Sequence, residues 1–259
     1  MKIKNIFPLI WSGLKLNFLQ ASWNFERLQN VGFLTAIHGL LTKTYGADRE
    51  NLLRAVKRHM NFFNTHIFFA SAVLGVMARL EEELPNVNPE QKDYDIENTK
   101  MGIMGPMAAI GDSLFWSGVK PFALLVGAGI IFISGCDIRT WFAAAAAALL
   151  VYNIPRVAIK YYLLFKSYYD YRELFVFIQK VKLQDVMKSI KLIGMGLLGG
   201  VMAGYLHTKG LTMIPSRVLD SLLLLVIFAV IVRAVNRKVS VSIIFAAVVI
   251  ISIVMAYII

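Results

Sequence analysis

Residues 239–259 form an unbroken run without a single Lys, Arg, Asp or Glu. About twenty such residues are what a helix needs to cross roughly 30 Å of hydrocarbon. This one feature confines the chain to a membrane. Composition agrees, because at 58% hydrophobic residues a body of 259 residues has too little polar surface to cover itself in water. The net charge of +11 is spread in short clusters between apolar stretches. A nucleic-acid binder would instead gather its bases into one aromatic-interleaved patch. A lone cysteine, Cys136, leaves no partner for an intrachain disulfide and no zinc-type cysteine cluster.

Further spans follow the same logic. Residues 218–232 are apolar, with Asp220 near one end and Arg233, Arg237 and Lys238 crowding the connection to the last span. Residues 190–206 carry Gly194, Gly196, Gly199, Gly200 and Gly204, small residues that let a neighbouring helix approach closely in a bilayer. Residues 141–165 open on six alanines and continue through Asn153, Pro155, Arg156 and Lys160, so their second half needs protein neighbours. Residues 121–134 are the shortest candidate span.

The bases set the orientation. Residues 166–191 hold six Lys or Arg and residues 233–238 hold three, against few in residues 136–140 and 207–217. Short basic loops stay in the cytoplasm, which places the C-terminus outside and the N-terminus inside. Within residues 166–191 the spacing of Leu174, Phe175, Ile178 and Val181 among charges predicts an amphipathic helix on the inner membrane surface.

The N-terminal part reads differently. Pro8 and Ser12 interrupt the first apolar run and no convincing small-residue cleavage site follows, so a removable signal peptide is not expected. Residues 47–58 predict a charged helix, and residues 81–100 predict a solvated acidic loop. Between and after them lie two apolar blocks that are poor ordinary spans. Residues 61–80 begin with Asn61, Asn64, Thr65 and His66, and residues 101–118 contain Gly102, Gly105, Pro106, Gly111 and Asp112. Non-helical backbone at membrane depth is tolerated where protein buries it or where it lines a polar cavity, and transporters build substrate sites from such segments. The fold class predicted is an all-α integral membrane protein, a polytopic helix bundle with broken or re-entrant segments. Its expected divisions are residues 1–60, 61–135 and 136–259.

Few residues can carry chemistry. Asp112 is an acid inside an apolar block, costly unless paired or hydrated, and an intramembrane acid is a functional candidate. Alternatively it caps a helix beginning at Ser113. Asn64, Thr65 and His66 together can bind several hydroxyls of a small polar solute, or can simply make interhelical hydrogen bonds. Residues 20–29 pack Gln20, Trp23, Asn24, Phe25, Glu26, Arg27 and Gln29 into one short stretch, amides and charges with aromatic faces, as sugars are commonly held. The structural alternative there is an amphipathic helix leading into the membrane. No phosphate loop, dinucleotide fingerprint, metalloprotease motif or nucleophile elbow occurs. Neither catalytic nor metal-binding residues are expected, and no cofactor.

Three segments carry a resemblance. Residues 20–29, the run Asn61-Phe62-Phe63-Asn64-Thr65-His66, and residues 105–116 from Gly105-Pro106-Met107 to Phe115-Trp116 closely resemble the IID membrane component of mannose/fructose/sorbose-family phosphotransferase permeases. They stand in family order and spacing, and the resemblance runs through Glu81-Glu82-Glu83 to the C-terminal spans. Ile67 stands where the family commonly has proline, and Ala109 where it often has glycine.

That resemblance implies a bacterial inner-membrane subunit that pairs with a IIC partner, in assemblies thought to be trimers of such pairs. Sugar crosses the pair and is phosphorylated by cytoplasmic IIB, itself charged through IIA from phosphoenolpyruvate. The IID chain carries no phosphoryl group, and a core moves against a scaffold in elevator fashion. On this footing Gln20, Asn24, Glu26, Asn64, His66 and Asp112 are expected to line or brace the path of a sugar (mannose, glucose, fructose, sorbose or an amino sugar) at the contact with the partner. Two rival functions remain at this stage: a noncatalytic scaffold for a partner that transports alone, and a membrane enzyme using His66 and Asp112 as acid and base.

Overall fold

The computed structural model describes residues 6–83, 88–134, 137–180 and 183–209, with parts of 226–250. Contacts divide the chain into two compact units, Met1–Val201 and Met202–Ile259. In the second unit the described residues between 226 and 250 are mostly helical. The expected spans at 218–232 and 239–259 lie largely outside the described residues.

Nine α-helices appear among the described residues: α1 (Ile6–Lys15), α2 (Asn30–Tyr45), α3 (Arg49–His59), α4 (Ala70–Glu83), α5 (Pro89–Gly111), α6 (Lys120–Ser134), α7 (Ile138–Tyr169), α8 (Tyr171–Lys180) and α9 (Leu183–Lys209). Local chemistry explains their ends. Asp48, Asn88 and Asp137 accept hydrogen bonds from the backbone N–H groups of Asn51, Glu90 and Thr140 at 3.1, 3.0 and 2.8 Å, capping α3, α5 and α7. Pro89 occupies the first turn of α5, where its missing N–H costs nothing. In α3, Glu50 opens and Lys57, Arg58 and His59 close the helix, matching its dipole.

The charged helix expected at residues 47–58 is α3, and the span expected at 141–165 lies within α7. Two helices are long and apolar enough to cross a membrane among the described residues, Pro89–Ile131 and Ile138–Tyr169. In the most apolar window of Ile138–Tyr169 only 6% of residues are buried. A soluble core helix would hide that face; this one shows it, as a lipid-facing helix does.

Several expectations are corrected. Residues 81–100 are not a solvated loop: Glu81, in the last turn of α4, is fully buried, and α5 begins at Pro89. Nor are residues 121–134 a separate short span, since α5 runs through a π-helical segment, Asp112–Val119, directly into α6. Asp112 therefore does not cap the start of a new helix at Ser113; its backbone is helical and its N–H bonds back to Ala108 and Ala109. Residues 20–29 are not an amphipathic helix, because residues 19–29 turn through non-helical backbone. The basic stretch 166–191 is divided among the end of α7, α8 and the start of α9. In residues 61–80 the expected irregular backbone is present as far as Phe69, and α4 starts at Ala70.

The core sits around α4. Val73, Leu74, Val76 and Met77 are fully buried with Leu163, Leu164 and Tyr168 of α7. Gly75 makes this approach work: a Cβ there would stand 2.0 Å from Ser167 Oγ and 2.6 Å from the Leu164 carbonyl oxygen. Of the α9 glycines, Gly194 faces Phe122 and Leu125 of α6, whereas Gly196, Gly199 and Gly200 have nothing within 4 Å.

Candidate functional site

The irregular segment 19–29 is held by its own hydrogen bonds and then by residues 61–66. Asn24 and Leu28 exchange backbone hydrogen bonds of 3.0 Å each, and Asn24 Oδ1 accepts from the Arg27 N–H at 2.8 Å. This tight turn puts Leu28 in the left-handed region at φ 56, a conformation that costs a branched residue energy and persists because its neighbours fix it. Two strand-like hydrogen bonds follow. The Gln29 N–H donates to the Phe63 carbonyl at 2.9 Å, and the Phe63 N–H to the Arg27 carbonyl at 3.3 Å.

Side chains complete the joint. The buried Gln29 Oε1 accepts from the Thr65 N–H at 3.0 Å, and the Thr65 hydroxyl donates to the Met104 carbonyl of α5 at 2.9 Å. That carbonyl is four residues before Ala108, in a helix whose Pro106 lacks the N–H that would bond Gly102. Asn30 Nδ2 donates to the Met60 carbonyl at 2.7 Å, tying α2 to the end of α3. The segments around Asn24, Asn64 and Met104, far apart in sequence, thus meet at one place.

His66 is the centre of this place. It is buried at 4% exposure, its ring lies parallel to Phe115 with centroids 5.4 Å apart, and Phe68, Phe69 and Trp116 meet it edge-on. Its Nδ1 accepts from the Phe68 N–H at 3.3 Å, which leaves the proton on Nε2. That buried Nε2 has no hydrogen-bond partner among the described residues, and an unmet buried donor costs about 1–3 kcal/mol. Gly111 packs directly on the ring: a Cβ there would fall 2.4 Å from His66 Cγ. The next residue, Asp112, is within electrostatic reach of the imidazole and opens the π-helical segment that carries Phe115 and Trp116. Such widened turns occur frequently at functional sites.

Of the six expected residues, the structure brings His66 and Asp112 together and sets Asn64 beside them in the chain. Gln20, Glu26, Asn64 and Asp112 are exposed and Asn24 is half-buried. Asn24 spends its amide on Asn30 Oδ1 at 2.9 Å, and Glu26 pairs with its neighbour Arg27 at 3.2 Å. No hydrogen bond joins any two of the six among the described contacts. Sequence reasoning named Gln29, Thr65 and Gly111 within its motifs without giving them this assembling role, and it missed Asn30 altogether. Asn30 directly follows the 20–29 motif, and which polar residues of these segments do the joining depends on which face is inward.

A second polar cluster was also missed. Fully buried Glu81 accepts from Arg58 Nε at 2.7 Å and Nη2 at 2.8 Å, and from His59 Nε2 at 2.9 Å. Tyr45 also bonds Glu81, Asp93 also bonds Arg58, and Lys100 Nζ donates to the Arg58 carbonyl at 2.8 Å. Burial alone would raise the Glu81 carboxyl; the hydrogen bonds from His59 and Arg58 and the Arg58 charge outweigh it and hold the carboxyl well below the usual carboxylate range. Burial pushes His59 down, so it serves as a neutral donor. This cluster fixes the end of α3, whose next residue, Met60, receives Asn30, and so it stands behind the site without being part of it.

Helices with lipid-type faces and polar motifs gathered at irregular backbone define a helical membrane protein. The comparisons specify it. A family model described as "PTS system mannose/fructose/sorbose family IID component" matches residues 4–259. The chain is 31% identical over 207 residues to the mannose-specific EIID component of Escherichia coli K12, covering 80% of this chain and 70% of that protein. It is 29% identical to the fructose permease IID component of Bacillus subtilis, covering 84% and 74%. Among solved structures it is similar to the mannose transporter ManYZ in complex with microcin E492, with TM-score 0.58, 27% identity and coverage of 98% and 97%. A structure described as a membrane protein matches with TM-score 0.69, 27% identity and the same coverage. The chain belongs to the IID components of the mannose/fructose/sorbose phosphotransferase family.

Proposed function

We propose that this chain works with a IIC partner to move a hexose or amino sugar across the bacterial inner membrane, coupled to phosphorylation by cytoplasmic IIB, and is not catalytic by itself. It crosses the membrane several times, N-terminus inside and C-terminus outside, in an assembly of three IIC–IID pairs. Residues 61–135 form a moving core against the scaffold of residues 136–259, with residues 1–60 on the cytoplasmic side. The observation that carries this reading is the meeting of three motifs at His66, whose buried Nε2 has no partner among the described residues.

A sugar hydroxyl would satisfy that nitrogen. Asp112 and Asn64 would accept and donate to neighbouring hydroxyls, and the ring of Trp116, 45% exposed, offers an apolar face. Gln20, Asn24 and Glu26 would brace the path at the contact with the partner, consistent with Gln20 and Glu26 being exposed in the single chain.

Asp112→Asn and His66→Ala are each expected to reduce phosphoenolpyruvate-dependent sugar uptake about tenfold or more in cells carrying the full system, the scale of a lost hydrogen bond to a charged or buried group. The IIC partner should still co-purify. Unchanged uptake in both variants would sink the proposal. Gly111→Ala adds a methyl against the His66 ring, and overpacking of this kind costs about 1–3 kcal/mol. Its uptake should fall with an increased apparent KM for sugar. A normal KM would show that the His66 ring position does not matter to binding.

A further inference from the structure

α7 presents three polar side chains one turn apart on the flank of the site. Tyr152 meets Phe68 and Phe115 with ring centroids 6.3 and 6.2 Å away, the Arg156 guanidinium lies 5.2 Å from the Phe68 centroid, and Lys160 Nζ donates to Asn17 Oδ1 at 2.9 Å. Phe68 also touches His66, at 5.0 Å between centroids, so Arg156 and His66 share one aromatic neighbour.

Two cations four residues apart on one helix face repel each other, and cations in an apolar helix are normally paired. Here neither Arg156 nor Lys160 forms an ion pair among the described residues. Lys160 is 3% exposed and its hydrogen-bond partner is a neutral amide oxygen. Arg156 rests on an aromatic ring and makes no hydrogen bond with its guanidinium among the described contacts. The positive charge is therefore positioned, held against aromatic rings and faced by no carboxylate partner among the described residues, and a planar guanidinium matches two oxygens of a phosphate.

We propose that Arg156, backed by the charge of Lys160, is an anion subsite that receives the phosphate of a phosphorylated sugar whose ring occupies the His66 site. The inference rests on the sugar-path reading above and extends it from the substrate to the product. A lipid phosphate fits less well, because Lys160 is shut away from the outside of the chain. A carboxylate of the partner subunit also fits less well, because Arg156 stands against the same ring as His66.

The test uses the full chain co-purified with its IIC partner, in nanodiscs of phosphatidylcholine with or without phosphatidylglycerol. Mannose, mannose 6-phosphate and inorganic phosphate are titrated calorimetrically. Arg156→Gln should weaken both phosphate probes about tenfold or more, as loss of a charge-assisted pair does, while mannose affinity moves less than about twofold. Arg156→Lys should recover part of the loss, since it keeps the charge without the fork, and Lys160→Gln should weaken phosphate less than Arg156→Gln.

Absence of phosphate binding by the unaltered complex, or unchanged phosphate affinity in Arg156→Gln, would overturn the proposal. So would equal loss of mannose and mannose 6-phosphate, which marks a structural role. An effect confined to phosphatidylglycerol discs would assign the cation to lipid, and loss of the IIC partner on purification would assign it to the interface. If uptake and sugar binding were also insensitive to His66→Ala and Asp112→Asn, the sugar-path reading would fall; a silent Arg156 beside a sensitive His66 removes the anion subsite alone.

Discussion

Glu81→Ala is expected to leave little folded chain to recover from membranes. The carboxylate is fully buried and is the shared acceptor of Arg58, His59 and Tyr45, with Lys92 Nζ 3.8 Å away. Removing it strands a guanidinium in a buried position, and breaking such a pair from one side costs about 3–5 kcal/mol. That is a large share of a total stability of about 5–15 kcal/mol. Glu81→Gln keeps the shape and one acceptor oxygen and should lose less. The measurement is the yield and thermal midpoint of the detergent-solubilised chain by size-exclusion chromatography. A midpoint within about 2 °C of the unaltered protein would mean the cluster contributes far less than a buried pair should.

The same carboxylate gives a pH dependence with a definite sign. Its folded value is depressed below that of the unfolded chain, so its contribution is complete above the ordinary Glu value of about 4.3. It is lost progressively as pH falls below that value toward the depressed native one. Thermal midpoints of the unaltered chain should therefore fall below about pH 4.5 more steeply than those of Glu81→Gln, which cannot titrate there.

Gly75→Leu is expected to separate α4 from α7. Even a single Cβ at Gly75 would meet Ser167 Oγ at 2.0 Å, the Leu164 carbonyl oxygen at 2.6 Å and the Tyr168 backbone nitrogen at 3.0 Å. The hydroxyl can rotate away; the two backbone atoms belong to a continuous helix and cannot. Gly75→Ala should cost about 1–3 kcal/mol, the range of overpacking, and the bulkier leucine more. Adding Ser167→Gly to Gly75→Ala should restore only part of the lost midpoint, since the Leu164 carbonyl remains. Full rescue would show that the helices can slide apart at no cost.

Much of this site was legible in the sequence. Asn64, His66 and Asp112 stood out as polar residues in apolar blocks, and the structure does gather their segments. The form of those segments was not legible. Pro106 and the glycines of residues 101–118 suggested a break, yet the helix continues and widens into a π-helical segment from Asp112. Residues 81–100 looked solvated because Glu81, Asp93 and Glu97 are acidic; their partners Arg58, His59 and Asn61 come from another helix and the loop after it. No spacing within residues 81–100 could reveal pairing over such separations.

The sequence by itself determined that the chain enters a membrane, that residues 47–58 and 141–165 are helical, and to which family it belongs. These follow from local composition, period and short motifs, properties of contiguous residues. Only the tertiary structure decided that Thr65 bonds the Met104 carbonyl, that Glu81 is the buried anchor of α3, and that, among the described residues, His66 Nε2 finds no hydrogen-bond partner and Arg156, resting on Phe68, finds no ion pair. Each depends on which faces of distant helices meet, and that is set by packing against the whole chain.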